Sequence, residues 1–307
     1  MHVGSRVSRH LSCPRFQGEP HRPLRGYCAT AAPASGIRAD ASLDAVLRFH
    51  DDRTDSYVEL AARPSIPVRM CVHGPSAGAR YGPADVRVLL VSDVLTRIAE
   101  LRGLQVIAVL VTASLPPGTL EQNASALGIH PSAVCASSEE AEALLGGPAD
   151  VHVAGTTAKL GDHEDAVLIC IGPVEDLTHQ DENGPWAGPG ASGGGEGDLL
   201  ALRLALLFHS HRQPVELTQA ALADAGEALS RWRRKVAEWA REPSKPIPAE
   251  TARIIAAAFD DDLNTAAVLA FLHSVESDHS APAGAKFETF AYADRVLGLE
   301  LVRDIGH

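Results

Sequence analysis

The stretch from residue 68 to residue 111 limits the fold most strongly, because it alternates between the two periodicities of regular structure. Val68–His73 is typical of a buried strand of apolar and β-branched residues, and Gly74 and Pro75 mark the turn after it. Residues 86–101 carry apolar side chains at helical spacing, and residues 105–111 form a second apolar strand. Strand, helix and strand in this order predict a βαβ unit, and therefore an α/β protein with a Rossmann-like parallel sheet.

The loop after the first of these strands is the candidate ligand site. In open parallel sheets, ligands bind outside the carboxyl ends of the strands. We therefore expect His73, Gly74, Pro75 and Ser76 to face the pocket. The glycines at 74, 78 and 82 do not have the spacing of a phosphate-binding fingerprint. Taken alone, Gly74-Pro75 is typical of an ordinary turn.

Helical periodicity dominates after residue 198. Residues 199–211 are apolar nearly all round, which predicts a buried helix. Thr218 is suited to the N-cap of the next helix, because its hydroxyl can accept an unpaired backbone N–H of the first turn. These features predict that a helical bundle follows the sheet.

Three acids, Asp260, Asp261 and Asp262, separate two further predicted helices. Asn264 fits the N-cap of the second of these helices, and Leu263 and Val268 occupy the positions of a hydrophobic staple. The helix dipole also favours negative charge at this end. These residues predict a helix, an acidic corner and a helix, and nothing in them requires catalysis.

Composition divides the chain into four parts. Residues 1–42 are rich in Arg and Pro and contain two acids, so we expect a disordered extension or translation from a misplaced start codon; an organelle transit peptide is the alternative. Residues 43–176 are expected to form the Rossmann-like domain. Residues 177–197 should be a flexible Gly/Pro-rich loop, and residues 198–307 the helical bundle.

The charge balance argues against a broad nucleic-acid footprint. The chain carries 27 basic and 39 acidic residues, for a net charge of −12. A basic cluster on the helix after Thr218 is interpreted as a solvated helix face rather than an RNA contact. Its members are Arg231, Arg233, Arg234 and Lys235.

The apolar runs and the cysteines indicate the cellular location of the protein. No apolar run reaches the roughly eighteen residues of a membrane span, so we expect no membrane association. The five cysteines are scattered and include no CxxC pair. We therefore expect reduced thiols in a cytoplasmic protein.

Several short segments, in a consistent order, resemble the cysteinyl-tRNA synthetase family. Residues 259–265 read FDDDLNT and resemble the family's DDD-[FL]-NT signature, although Ala266 stands where the family usually has Pro. The other similar segments are RMCVHGPS at 69–76, DVL at 93–95, LGIHP at 127–131, DVHVAG at 150–155 and LRLALL at 202–207.

The resemblance implies a Rossmann-like domain followed by the synthetase stem and tRNA-binding helices. The acidic corner, Asp260, Asp261, Asp262 and Asn264, would then be a structural signature. The resemblance also implies a ligand pocket that uses ATP as cofactor. Its residues would be His73, Gly74, Pro75, Ser76, Asp85, Arg87, His152 and Gly155.

The departures from the family concern its chemistry. Gly82-Pro83-Ala84-Asp85 stands where the family has His-Ile-Gly-His, and no Lys-Met-Ser-Lys-Ser occurs. In the family these motifs stabilise charge on the phosphates during adenylation, and each lost donor costs on the order of 3 kcal/mol. The family's zinc site would fall at His73, Asp162 and Ala166, with His163 adjacent and a further ligand in a segment missing here. Because at most two ligands remain there, we expect no zinc.

We therefore expect a shortened, degenerate homologue that binds a nucleotide, an aminoacyl ligand or a protein without catalysing ligation. The alternative is an active ATP-dependent cysteine ligase, acting on tRNA or, like the related cysteine ligases of mycothiol synthesis, on a small amine. A third reading is a purely structural subunit with an empty pocket. The charge balance does not favour tRNA as a partner, and no protein partner can be named from the residues.

Overall fold

The computed structural model describes residues 11–12, 47–60, 66–75, 82–112, 125–130, 132–156, 158–160, 166–177 and 199–306. Almost all of the predicted extension, and the Gly/Pro-rich loop after residue 177, lie outside these ranges. So do three residues singled out from the sequence, Ser76, Asp162 and His163.

A five-stranded parallel sheet forms the centre of the first part of the chain. Its strands, in chain order, are β4 (Val68–His73), β5 (Val106–Val111), β6 (Ala133–Cys135), β7 (Val151–Gly155) and β9 (Val167–Ile171). Their spatial order is β6-β5-β4-β7-β9, and every pairing is parallel. The chain thus starts in the middle, builds outward to one side and then crosses back to the other. This is the strand order of a Rossmann-type sheet, with its switch point between β4 and β7.

Six short strands form three further pairs. They are β1 (Leu11–Ser12), β2 (Leu47–Asp51), β3 (Ser56–Leu60), β8 (Lys159–Leu160), β10 (Val174–Asp176) and β11 (Val215–Leu217). Strands β2 and β3 form an antiparallel hairpin, β10 pairs in parallel with β11, and β1 pairs antiparallel with β8.

Two described helices accompany the sheet, and five more follow it. They are α1 (Pro83–Leu101), α2 (Ser138–Leu145), α3 (Leu199–Leu207), α4 (Gln219–Trp239), α5 (Ala249–Asp260), α6 (Thr265–Ser277) and α7 (Ala283–Leu297). The predicted fold class, an α/β Rossmann-like parallel sheet followed by helices, is therefore confirmed.

Alternation along the central strands sends side chains to both faces of the sheet. Met70 and Val72 of β4 join the main core beneath α1 and the later helices, whereas Cys71 faces α2 in a smaller cluster with Val109 and Leu145. Both faces are covered, as expected for a parallel sheet built from βαβ units.

The acidic corner joins the helical part of the molecule to the sheet part. Asp260 pairs with Arg102 at the end of α1, and Asp261 pairs with Arg48 of β2. The Asp262 carboxylate accepts the backbone N–H of His50 at 3.0 Å. The three acids thus mainly bond to residues that are distant in the sequence. This is in addition to their predicted placement at a helix end.

Two predicted N-caps are confirmed. The Asn264 side chain accepts the N–H of Ala267 at 3.0 Å, and the Thr218 hydroxyl accepts that of Ala221 at 3.1 Å. The staple residues beside Asn264, Leu263 and Val268, are buried.

The interpretation of the basic cluster as a solvated face is wrong for Arg233. That side chain is 3% exposed, and it donates to the carbonyls of Leu299 and Glu300 at 2.7 and 3.1 Å. A guanidinium that satisfies the backbone of the chain's last turns is structural and is not presented to solvent.

Two further findings concern the membrane and the cysteines. Among the helices described, none combines the length and the apolar character needed to span a membrane. Cys71 and Cys135 are buried free thiols, but Cys170 is disulfide-bonded, so the expectation of reduced cysteines is wrong at that position.

Candidate functional site

The switch point between β4 and β7 is where a sheet of this order opens a crevice at its carboxyl edge. Strand β4 ends there at His73 and β7 at Gly155. The parallel register pairs Cys71 with His152 and His73 with Ala154. Since β4 is the central strand and hydrogen-bonds a neighbour on each side, the side chains at this edge stand on a rigid support.

The two histidines of the predicted pocket are in direct contact. His73 Nε2 and His152 Nδ1 lie 2.9 Å apart, within hydrogen-bond distance, and the rings stack with centroids 5.1 Å apart. The Sγ atom of Cys71 completes a group of three donor atoms that lie within 4.8 Å of one another. Cys71 and His152 are buried, and His73 is partly exposed.

Burial controls the chemistry of the thiol in this group. It raises the pKa of Cys71 to about 12, with smaller contributions in the same direction from Cys135 and Glu142. A thiol with such a pKa is protonated at neutral pH and is a poor nucleophile. Cys71 is therefore not suited to covalent catalysis in this state.

The loop after β4 turns toward the end of β5. The Gly74 N–H donates to the carbonyl of Val111 at 2.9 Å, and the Thr112 hydroxyl donates to that of Pro75 at 3.3 Å. A Cβ atom on Gly74 would lie 3.0 Å from the Cβ of Thr112, so the close approach favours glycine. Gly155 faces α1, where an added Cβ would meet Val88 at an ordinary 3.8 Å.

Asp85 caps the first turn of α1. Its carboxylate accepts the N–H of Gly82 at 2.9 Å, while the Asp85 N–H donates to the Gly82 carbonyl at 3.0 Å. Burial raises the pKa of the Asp85 carboxyl, and the hydrogen bond from Gly82 opposes that effect. The residue that stands at the end of the family's His-Ile-Gly-His position is thus a structural cap in this chain.

Arg87 is enclosed rather than presented to a ligand. It is 1% exposed and donates to the carbonyls of Gly172, Gln213 and Ser210 at 2.6 to 2.9 Å. Burial lowers the pKa of its guanidinium to about 10, which still leaves it cationic at neutral pH. Arg87 therefore binds α1 to the loops that follow β9 and α3.

Sequence reasoning missed Cys71 as a member of the site. A signal was present, because a Cys-x-His pattern on a strand places both side chains on one face. His152 lies on the neighbouring strand of the same sheet, but its position opposite Cys71 depends on the β4–β7 register. Of the positions considered for zinc in the sequence, His73 and Ala166 lie within the described residues, whereas Asp162 and His163 lie outside them.

The fold and the crevice define a Rossmann-type α/β protein in which a set of helices follows the sheet along the chain. Comparison with known proteins identifies the relatives of this class. Over 100 residues, 32% of this chain, it is 36% identical to the cysteine–tRNA ligase of Xanthobacter autotrophicus, and the match covers 21% of that protein. Over 87 residues, 28% of this chain, it is 34% identical to the cysteine–tRNA ligase of Rhodospirillum centenum, covering 18% of it.

A third relative is a ligase with a different acceptor. It is the L-cysteine:1D-myo-inositol 2-amino-2-deoxy-alpha-D-glucopyranoside ligase of Nocardiopsis dassonvillei, which is 32% identical over 104 residues, 34% of this chain and 26% of that protein. No protein-family model matches the chain. The chain is therefore related to the cysteine–tRNA ligases over about a third of its length, and it spans about a fifth of the ligases that it matches.

Proposed function

We propose that this protein is a non-catalytic relative of the cysteine–tRNA ligases that binds a nucleotide or an aminoacyl compound at the crevice between β4 and β7. The relatives' names supply the ligand class, since both kinds of ligase act on cysteine. The crevice supplies the place, because the predicted residues His73 and His152 meet there.

The proposal that ligation is absent depends on the Asp85 carboxylate at the start of α1. A helix N-terminus ordinarily attracts phosphate through its unpaired N–H groups and its dipole. In this chain the Asp85 carboxylate already accepts an N–H there. At about 5 Å a carboxylate and a phosphate charge repel each other by roughly 1 to 3 kcal/mol.

The nearby cation does not offset that repulsion. The Arg87 guanidinium donates to three backbone carbonyls and has little surface exposed to a ligand. Asp85 and Arg87 therefore do not fit the triphosphate of ATP in the way that the family's histidines would. This disagreement supports binding of a less charged ligand over adenylation.

The helix α4 supports the expectation that tRNA is not the partner. Arg231 and Lys235 both pair with Glu276, at 3.1 Å in each case, and Arg233 is buried. Arg234 is the one member of the basic cluster that is exposed. With a net charge of −12, little positive surface is left on this helix for a phosphate backbone.

Two assays on one preparation test the proposal. Calorimetric titration should show binding of a non-hydrolysable cysteinyl-adenylate analogue, and cysteine-dependent exchange of pyrophosphate into ATP should be absent. Exchange above a no-cysteine blank would instead establish the active ligase. Failure to bind both the analogue and ATP would favour a structural subunit.

An Asp85→Asn variant sharpens the test, because asparagine keeps an oxygen acceptor for the cap and removes the charge. Relief of 1 to 3 kcal/mol predicts about 5- to 150-fold tighter ATP binding. Asp224→Asn removes one exposed charge elsewhere and is the matched control. Equal ATP affinity in Asp85→Asn and the wild type would remove the electrostatic part of the proposal.

A further inference from the structure

We propose that Cys71, His73 and His152 form a binding site for a zinc-class divalent ion. The three residues offer one sulfur and two imidazole nitrogens, with all three donor atoms within 4.8 Å of one another. This donor set shares only His73 with the zinc positions that the family resemblance implies. The expectation of no zinc considered those positions and did not count Cys71 or His152 as donors.

The sheet fixes the positions of the three side chains. Cys71 and His73 are two residues apart on β4, so they project from the same face. His152 is the register partner of Cys71 on β7, which places it beside both of them on that face. Because the donors stand on adjacent hydrogen-bonded strands of one sheet, their side chains lose little conformational freedom when an ion binds. Such preorganisation favours a metal site.

The distance between the two imidazole nitrogens is close to the one that a tetrahedral ion requires, and the Cys71 sulfur lies within 4.8 Å of them. With Zn–N bonds of 2.0 to 2.1 Å and Zn–S bonds of 2.3 Å, tetrahedral geometry sets nitrogen–nitrogen distances of about 3.3 Å and sulfur–nitrogen distances of about 3.6 Å. The observed His73 Nε2 to His152 Nδ1 distance is 2.9 Å. The two rings would therefore separate by roughly 0.4 Å, which small side-chain rotations can supply.

A small cavity beside α2 provides room next to these donors. It has a volume of about 10 Å³, and Cys71 and His152 line it together with Glu142 of α2. This is close to the smallest space that holds one water molecule. A cavity of that size with donors on its wall is suited to a small ion and excludes a larger ligand.

The donor types select the class of ion. One thiolate and two imidazoles favour Zn²⁺ and Co²⁺, whereas Mg²⁺ and Ca²⁺ require oxygen ligands. On binding, the Cys71 S–H bond breaks, its proton leaves to solvent and the sulfur–metal bond forms. One of the two facing imidazole nitrogens carries the proton of their mutual hydrogen bond. That ring moves the proton to its other nitrogen, through solvent, so that both facing nitrogens are free to bind the ion. Three protein donors fill three tetrahedral positions, and water or another donor takes the fourth.

Cobalt titration of the full-length, tag-free protein tests the site directly. After chelator treatment and removal of the chelator, Co²⁺ should bind at one equivalent, with visible d–d absorption of tetrahedral strength and a thiolate-to-cobalt charge-transfer band in the near ultraviolet. Zn²⁺ should displace it, and excess Mg²⁺ should not. Absence of stoichiometric Co²⁺ and Zn²⁺ binding to folded wild-type protein would overturn the proposal.

Variants assign the ligands. Cys71→Ser should abolish the charge-transfer band, and His152→Gln should weaken Zn²⁺ binding by more than about tenfold, since even outer-shell partners cost that much. Cys135→Ser removes the other buried free thiol of the same cluster and should leave the band intact. A band lost in Cys135→Ser and kept in Cys71→Ser would contradict the assignment.

A measurement on the wild type covers the case in which a variant fails to fold. Zn²⁺ should slow the alkylation of Cys71 and leave the alkylation rate of Cys135 unchanged. Peptide mass spectrometry measures both rates. Equal alkylation rates at Cys71 with and without Zn²⁺ would contradict the proposal. Its outcome is independent of nucleotide binding, so a failure of the proposed function does not affect it.

Discussion

A buried ion pair between the sheet part and the helical part offers the sharpest test of how the two are held together. Asp93 of α1 and Arg203 of α3 both have side chains with 0% exposure, and their closest atoms are 2.6 Å apart. Arg203 also donates to the carbonyls of Leu297 and Leu127, at 2.6 and 3.0 Å. Asp93 accepts further from Arg97, at 2.8 Å. We predict that Asp93→Asn is one of the most destabilising single substitutions in the chain.

The magnitude follows from what the substitution leaves behind. Asparagine is nearly isosteric, so packing is preserved, but Arg203 becomes a buried charge without its counter-ion. Breaking a buried pair on one side costs about 3 to 5 kcal/mol. For a chain of this size the urea slope is about 3 kcal/mol per M, so the unfolding midpoint should fall by about 1 to 1.7 M.

The same pair predicts a dependence on pH. Burial alone would raise the pKa of Asp93, but the charges of Arg203 and Arg97 outweigh it and hold that pKa below its usual range. Asp93 is thus more acidic in the folded state than in the unfolded state. Its contribution is present in full above about pH 4 and is lost as the pH falls through the folded value.

The assay is equilibrium urea unfolding monitored by circular dichroism, at pH 7 and at a series of pH values below 4. Asp224→Asn, an exposed acid on α4, is the control and should change the free energy of unfolding by less than about 0.5 kcal/mol. Combining Asp93→Asn with Arg203→Met should cost less than the sum of the single variants, because the second change removes the stranded charge. A loss below about 1 kcal/mol for Asp93→Asn would refute the reasoning.

The parts of the fold that sequence predicted correctly are those determined by local chemistry. The bounds of β4 follow from six residues of strand type closed by Gly74. The N-caps at Thr218 and Asn264 follow from side chains that bond a backbone N–H three residues ahead. Such signals need no knowledge of the rest of the chain.

Elements that depend on distant partners were missed or misplaced. Strand β6 has three residues, two of them exposed, and it exists because it pairs with β5 at the edge of the sheet. Helix α1 begins at Pro83, earlier than its apolar periodicity indicates, because Pro is tolerated in a first helical turn and Asp85 completes the cap. Helix α7 lies within the helical bundle predicted for residues 198–307, but its bounds were not predicted.

The candidate site shows the same limit. His73 and His152 were each named from the sequence, but their 2.9 Å contact depends on the β4–β7 register, which no local pattern encodes. Arg87 and Arg203 stand in apolar helices, where their charge was visible in the sequence. Their partners are mostly backbone carbonyls more than 70 residues away, so their burial became apparent only in the fold.

Two further predictions concern backbone space and a buried histidine, and urea unfolding measures both. Gly226→Ala should stabilise the protein by about 0.5 to 1 kcal/mol, because the residue lies inside α4 and an added Cβ would meet Ala201 at 3.8 Å. The matched change Gly284→Ala in α7 should destabilise it, since that Cβ would lie 2.2 Å from the carbonyl oxygen of Pro243; equal effects of the two changes would contradict this explanation. Burial, followed by the charges of neighbouring arginines, lowers the pKa of His211 to about 3. The unfolded chain therefore takes up that proton first, and stability should decline as the pH falls from about 6.5 toward 3, by at most about 1.4 kcal/mol per pH unit for this group. His211→Gln cannot take up the proton and should show a shallower decline over that range, and a slope equal to that of the wild type would show that His211 is not buried in its neutral form.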